Sequence, residues 1–286
     1  MIKYVRDIMI SNFEVVNLLD GVQKVIDLFL AIGQNYFPVL DNDRLVGVIT
    51  SCELLATHPN RITADAMSKE YVVISAKDSI WSAMDIVEEN TADFLFVIDK
   101  DSLVGVVKRT DLLVEISKYF DPLTCLYKSN YLYYQAGKLI KEGKEISIIF
   151  IDINNFGQID KKYGHARGDT VLKELALILK ESIRKDMFLC RYGGDEFVIL
   201  STYSEIQSKE FSIKLQSKVS SKRYSGEIEL GISVGIAGGR RGTTREEKPI
   251  ILIRNLLNLA SLASTQAKTK SNKLHIEKYL NIESTA

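Results

Sequence analysis

Cysteine is scarce in this chain, neither sign of charge is in excess, and no long apolar run occurs. The 286 residues include three cysteines, Cys52, Cys125 and Cys190. Their odd number and wide spacing exclude a disulfide framework and a thiolate metal cage. They point to a reduced compartment with the free thiols buried in the core. Lys plus Arg and Asp plus Glu each total 37, so the net charge is zero. Without a concentrated basic face there is no electrostatic case for a nucleic-acid or anionic-membrane partner. No run approaches the roughly 20 apolar residues of a membrane span, and residues 1–7 lack the apolar segment of a signal peptide. A cytoplasmic location is expected. At about 100–200 residues per domain, the length predicts two or three domains.

What is present, first, is a repeat. Laying residues 8–57 over 66–115 brings Met9 onto Met67, Val22 onto Ile80, Asp41 onto Asp99, Leu45-Val46-Gly47-Val48 onto Leu103-Val104-Gly105-Val106 and Leu54 onto Leu112, all at an offset of 58. One ungapped offset means two copies of one unit. Each copy opens with a helical face: Val22, Val25, Ile26, Phe29 and Leu30 in the first, Ile80, Ala83, Met84 and Val87 in the second, with Asp20 and Asp78 placed to cap. Two short strands come next in each, at 37–40 and 45–49, then at 95–98 and 103–107, and a short helix closes each copy.

This duplicated β-α-β-β-α unit, closing in Gly47-Val48-Ile49-Thr50-Ser51-Cys52-Glu53 and Gly105-Val106-Val107-Lys108-Arg109-Thr110-Asp111, resembles a tandem CBS domain pair, with repeats at 1–57 and 58–115. The resemblance implies a cleft for an adenosine nucleotide, with a hydroxyl on phosphate and a carboxylate on ribose. Neither copy carries that pair intact, since Glu53 accompanies Thr50 and Lys108 accompanies Asp111. Thr50, Lys108, Arg109 and Asp111 are the candidate contacts for AMP, ATP or another adenosyl ligand, the two cations meeting phosphate. A purely architectural pair that dimerises and positions the second half of the chain is the alternative. Residues 111–120 have no Gly or Pro and are expected to continue the last helix as a connector until Asp121-Pro122 breaks it.

The second half centres on Arg191-Tyr192-Gly193-Gly194-Asp195-Glu196-Phe197. Apolar runs at 187–190 and 197–200 flank it, so it reads as a β-hairpin tip turned by the glycine pair. Gly193 and Gly194 allow backbone conformations barred to other residues and close approach of a ligand. Asp195 and Glu196 supply hard oxygen ligands of the kind Mg²⁺ takes beside nucleotide phosphates; alone, the same residues read equally as a solvated acidic turn. The apolar run 146–151 reads as a buried strand ending at Asp152. The order strand 146–151, helix 169–183, strands 187–191 and 196–200, helix 204–219, strand 229–236 and helix 249–268 predicts an α/β (α+β) palm of ferredoxin-like type, its helices on one face. The Gly- and Arg-rich stretch 238–248 reads as a surface loop.

The seven-residue run resembles the signature of the GGDEF family, whose members are diguanylate cyclases joining two GTP molecules into cyclic di-GMP. The domain is expected at 121–286. Asp121-Pro122-Leu123-Thr124 resembles its opening, with Cys125 where glycine is usual. The resemblance implies metal ligation by Asp152, the Ile153 carbonyl, Asp195 and Glu196, holding two Mg²⁺ ions per GTP, or Mn²⁺ in their place. It implies phosphate and base contacts from Asn155, Phe156, Gly193, Gly194 and Lys268, with Asp160 and Asp169 on the guanine edge. His165 belongs to a structural turn. Catalysis would rest on Asp152, Asp195, Glu196 and Lys268. Asn154, Gly157 and Asn272 depart from the family pattern and remove cations or acids. Arg184 stands at the spacing of a product-inhibition site, but Met187 takes its aspartate partner's place. The leading expectation is a homodimeric diguanylate cyclase tuned by an adenosyl ligand on the CBS pair. A catalytically weak or inactive GTP-binding sensor, signalling through dimer or partner changes, is the alternative.

Overall fold

The offset of 58 in sequence reappears element by element in the computed structural model, which describes residues 3–225, 227–239 and 249–277. The chain divides into two compact units, Met1–Lys118 and Tyr119–Ala286. In the first, a 3₁₀ turn Val5–Asp7 precedes β1 (Val16–Asn17), α1 (Val22–Ile32), β2 (Tyr36–Asp41), β3 (Arg44–Thr50), α2 (Ser51–Ala56) and α3 (Thr63–Ala66). The second copy runs β4 (Val72–Ser75), α4 (Ile80–Asn90), β5 (Phe94–Asp99), β6 (Ser102–Lys108) and α5 (Arg109–Ser117). Each copy forms a sheet with its first strand parallel and its last antiparallel to the middle one, in the orders β1-β2-β3 and β4-β5-β6. Even the register irregularities, between Val39 and Leu40 and between Val97 and Ile98, correspond.

The copies are tied by exchanged segments. Val48 and Ser68 exchange backbone hydrogen bonds of 2.9 Å in both directions, and Ile10 and Val106 do the same at 2.8 and 3.0 Å. Met67 lies over Gly47 and Met9 over Gly105 so closely that a Cβ on either glycine would stand 2.6 Å from the sulfur.

Three expectations need correction here. Asp20 and Asp78 do not cap the helices next to them in sequence. Each accepts through Oδ2 from a backbone amide three residues earlier, Asn17 at 2.8 Å and Ser75 at 3.2 Å, and Asp20 Oδ1 accepts from the Lys24 ammonium at 2.8 Å rather than from a first-turn amide. Gly21 occupies the N-cap of α1 without a side-chain bond, and Ser79 caps α4 by accepting from the Ser82 amide. The expected connector also ends early. α5 stops at Ser117, the Lys118 amide turns back to the Glu115 carbonyl, and Phe120 instead bridges Tyr127.

The second unit comprises β7 (Tyr127–Lys128), α6 (Ser129–Lys141), β8 (Ile146–Ile153), α7 (Phe156–Tyr163), α8 (His165–Ser182), β9 (Phe188–Arg191), β10 (Glu196–Ser201), α9 (Glu205–Ser221), the ribbon β11 (Arg223–Tyr224) and β12 (Ile228–Glu229), β13 (Ile232–Gly239), α10 (Pro249–Ala267) and β14 (Leu274–Ile276). The sheet order is β14-β13-β8-β10-β9-β7. All eight residues of β8 are buried, as its unbroken apolar run requires of a strand covered on both faces. Alternation sends Ile149, Ile151 and Ile153 to a core shared with α8 and α9. Ile146, Ile148 and Phe150 go to a second core with α6 and α10. Helices therefore cover both faces of the sheet, not one. The expected strand at 229–236 is two strands separated at 230–231, and the helix expected from 169 begins at His165, behind Gly164 at φ 83°. Residues 240–248 of the expected surface loop lie outside the described residues. Among the described residues no helix is long and apolar enough to cross a membrane.

The expectation of three buried thiols is also overturned. Cys190 is buried, but Cys52 and Cys125 are exposed. Cys125 has φ 56°, the left-handed conformation that explains why glycine suits the position.

Candidate functional site

Sheet alternation builds the acidic site. Asp152 is an even-numbered residue of β8 and so points to the face covered by α10. Glu196 pairs directly with Asp152 across the antiparallel β8–β10 ladder, and Ser233 pairs with it from β13. The hairpin turn is closed by Tyr192 and Gly193 amides donating to the Glu196 carbonyl at 2.8 and 3.3 Å, and the Ile153 amide donates to the Asp195 carbonyl at 3.3 Å. Asp152, Ile153, Asp195 and Glu196 are thus brought together. Lys268, one residue beyond α10, places Nζ 2.8 Å from Asp152 Oδ1. Among the described residues this ammonium contact is the one partner of an otherwise unsatisfied buried oxygen.

Burial pushes the Asp152 carboxyl above its usual range, the Asp195 charge adds to that, and Lys268 opposes both. Glu196 is likewise raised, first by burial and then by the charges of Asp152 and Asp195. Among the described residues three carboxylates face one ammonium, which leaves the site short of positive charge, and that ammonium is all that Asp152 Oδ1 meets. Both observations fit a divalent cation on these residues. Among the described residues no three or more His, Cys, Asp or Glu are arranged to hold a metal by themselves. That suits Mg²⁺, which takes one or two carboxylates and completes its shell with water and phosphate oxygens.

Neither hairpin glycine adopts the left-handed conformation expected of the turn. A Cβ on Gly193 would stand 2.5 Å from Glu196 Oε2, so a side chain there would displace the Glu196 carboxylate. Gly194 has open space, and its carbonyl accepts from Arg191 at 2.6 and 3.1 Å. Arg191 also donates to Asp121 Oδ2 at 2.9 Å, an ion pair whose side chains are 13% and 15% exposed. Asp121 in turn accepts from the Thr124 amide and hydroxyl at 2.7 and 2.6 Å. The sequence marks the opening segment and the hairpin separately but carries no signal that this ion pair joins them.

Asn155, at φ 56°, stands at the N-cap of α7; its carbonyl accepts from the Gln158 amide at 2.8 Å, and the Phe156 and Gly157 amides ahead of that bond have no helical carbonyl to meet. Asn154 Oδ1 accepts from the Ser233 hydroxyl at 2.6 Å, a structural tie in place of a second acid. Asp160 and Asp169 flank the corner between α7 and α8. Asp160 accepts from or donates to no partner through Oδ1, while Oδ2 lies 3.1 Å from His165 Nδ1. Asp160 packs on Gly168, where a Cβ would stand 3.1 Å from its Cγ and nearer still to Oδ1. Asp169 is exposed. Asn272 supplies no cation; its side-chain oxygen accepts from the Leu274 amide at 3.2 Å. Arg184 has its guanidinium 5.9 Å from the Tyr203 ring centre, and Met187 is a core residue.

In the first unit, Thr50 caps α2 and its hydroxyl donates to Glu53 Oε2 at 2.5 Å, while its amide donates to the same oxygen at 2.8 Å. Burial alone would raise the Glu53 carboxyl, but these bonds hold it below its usual range. Thr50 and Glu53 line a cleft of about 450 Å³ together with Glu70, Tyr71, Asp93 and Phe94. No Lys, Arg or His is among the lining residues. Lys108, Arg109 and Asp111 do not line it. Lys108 Nζ instead lies 5.7 Å from the Tyr36 ring centre, and the Arg109 amide donates to the Asp93 carbonyl at 2.9 Å.

A mixed sheet presenting carboxylates at a hairpin, following a duplicated β-α-β-β-α unit in sequence, defines the class: a tandem CBS pair joined to an acidic palm. The chain belongs to the GGDEF family: the domain described as "Diguanylate cyclase, GGDEF domain" matches residues 118–273, and the CBS domain matches residues 5–58 and 63–118. Diguanylate cyclase A of Treponema denticola is 33% identical over 156 residues, 52% of this chain and 40% of that protein. The response regulator PleD of Caulobacter vibrioides is 40% identical over 84 residues, 28% of this chain and 18% of that protein. The chain thus spans less than half the length of either. The structure of the coiled coil and GGDEF domain of DgcB from Caulobacter crescentus, in complex with c-di-GMP, is 20% identical and covers 58% of this chain and 88% of its own, with a TM-score of 0.49.

Proposed function

We propose that the protein is a diguanylate cyclase. The observation that carries this reading is the meeting of Asp152 and Glu196 on one sheet face, beside Asp195 of the hairpin turn, with Lys268, in a chain of the GGDEF family. Each site would hold one GTP, with guanine on Asp160 and Asp169 and phosphates on the amides near Asn155, Phe156, Gly193 and Gly194 and on Lys268. Mg²⁺ on Asp152, the Ile153 carbonyl, Asp195 and Glu196 would neutralise the triphosphate and the charge developing during transfer. The 3′-hydroxyl oxygen of one GTP forms a bond to the α-phosphorus of the other, the bond to the β-phosphate oxygen breaks, and pyrophosphate leaves. Glu196, its carboxyl raised by burial and then by the Asp152 and Asp195 charges, would serve the second metal or help remove the hydroxyl proton. Two such steps close the ring, so two sites must face each other across a homodimer.

The CBS half would bias that encounter through an adenosyl ligand. The carboxylate lining of the Thr50 cleft disfavours phosphate there, so any phosphate belongs near Lys108 and Arg109. One observation favours the sensor reading instead: Asn272 and Asn154 are both engaged in structural bonds and bring no charge to the triphosphate. Incubation of the full chain with GTP and Mg²⁺, with and without AMP or ATP, separates the two readings. Cyclic di-GMP plus pyrophosphate, abolished by Asp152→Ala, is the expected result. GTP bound without turnover under every condition would overturn the cyclase and leave the sensor.

A further inference from the structure

We infer that Lys268 is the acidic site's own counter-ion before ligands arrive, holding the Asp152 oxygen that a divalent cation needs and releasing it only when a triphosphate offers the ammonium another partner. The inference rests on the metal–nucleotide reading of the site given above.

Three features support it. First, the positions are mutually exclusive. Lys268 Nζ stands 2.8 Å from Asp152 Oδ1. A magnesium ion would sit about 2.1 Å from the same oxygen, and two unshared cations cannot occupy that one approach. Second, the lysine can move while its base stays fixed. Its side chain is 45% exposed against 11% for Asp152. Its amide is anchored to the Ser264 and Thr265 carbonyls at 3.3 and 3.2 Å, and its carbonyl accepts from Lys273 Nζ at 2.5 Å. The side chain alone can therefore swing. Third, the protein offers no complete metal cage among the described residues. A cation arriving alone would displace an ammonium and gain too few ligands in return. A cation arriving with triphosphate gains phosphate oxygens, while the displaced ammonium gains a phosphate partner as well. Metal and nucleotide should therefore bind cooperatively, through a lysine that trades carboxylate for phosphate.

The test is Mn²⁺ binding to the nucleotide-free full chain, with the aquated ion read by electron paramagnetic resonance. Lys268→Met and Lys268→Gln are each expected to tighten Mn²⁺ binding about fivefold, the scale of a lost exposed ion pair. Lys268→Arg should stay within about twofold of the native chain, and Asp152→Asn should abolish binding in the native and Lys268→Met backgrounds alike. Unchanged or weaker Mn²⁺ binding in both neutral variants overturns the inference, as does the absence of Mn²⁺ binding in all of them. The readout is independent of turnover. If the native chain makes no cyclic di-GMP yet the neutral variants bind Mn²⁺ more tightly, the cyclase reading fails and the counter-ion stands. If cyclic di-GMP forms and the variants bind no more tightly, only the counter-ion fails.

Discussion

Gly235 lies on β13 beneath α10, and an alanine there would test how the helix that ends near Lys268 is held to the sheet. Its Cβ would stand 2.7 Å from the Ala263 carbonyl carbon, and closer still to the Ala260 oxygen and the Ser264 nitrogen. All three are backbone atoms, so no side-chain rotation relieves the contact and α10 must move off the sheet by about 1 Å. Overpacking of this kind costs about 1–3 kcal/mol. A unit of this size loses about 2–4 °C of melting temperature per kcal/mol, so a drop of about 2–12 °C is expected. The same shift would carry Lys268 away from Asp152 and lower GTP turnover. Calorimetry of the full chain resolves the effect, with Gly157→Ala as the control, since nothing lies within 4 Å of a Cβ there. The control should be neutral or slightly stabilising, because alanine is the better helix former by up to about 1 kcal/mol. A Gly235→Ala protein melting within about 1 °C of the native chain would refute the close packing of α10 on β13.

Two further outcomes concern titrating groups. Burial would raise the Asp121 carboxyl, but the bonds from Thr124 and Arg191 outweigh it and hold the group below its usual range. A lowered folded-state value contributes stability that is present above the ordinary carboxylate range and lost as pH falls through the lowered value. Arg191→Met should therefore move the acid limb of thermal stability to higher pH in melts between about pH 2 and 5; an unmoved limb would remove Arg191 from the account. Burial also pushes the Cys190 thiol up to about 12. A chromogenic disulfide reagent should label Cys52 and Cys125 in the native chain and Cys190 only in denaturant, and rapid labelling of all three would contradict the burial of β9.

The duplicated unit is legible in the sequence because its signal is repetition: Gly47 and Gly105, or Asp41 and Asp99, recur at one spacing whatever the surroundings. The meeting of Asp152 with the hairpin is legible too, since a strand and a hairpin at that separation have few ways to pair. The features without a sequence signal depend on three-dimensional register. The contact between Lys268 and Asp152 requires α10 to lie on the even-numbered face of β8, a placement permitted by the close approach of α10 to Gly235. α7 leaves little trace because Gly157 interrupts it near its start and only Ile159 of its residues is buried. The exposure of Cys52 and Cys125 runs against the ordinary habit of cysteine as a core residue, and Cys125 is placed by a backbone turn rather than by packing. Asp20 and Asp78 have the composition of helix caps, but each turns one oxygen to a backbone amide of the preceding turn.

The exchanged segments of the first unit also bear on how the chain is made. Ile10 finds its backbone partner only at Val106, whereas Ser68 finds Val48 close behind it. During synthesis the earlier copy can close its ladder to residue 68 soon after that residue emerges, but the segment at Ile10 must wait for nearly the whole of the later copy. The segment at Ile10 is thus secured only once Val106 has emerged, although it is made well before it. Neither copy can be cut out as a finished module, because each would leave with the other's closing segment.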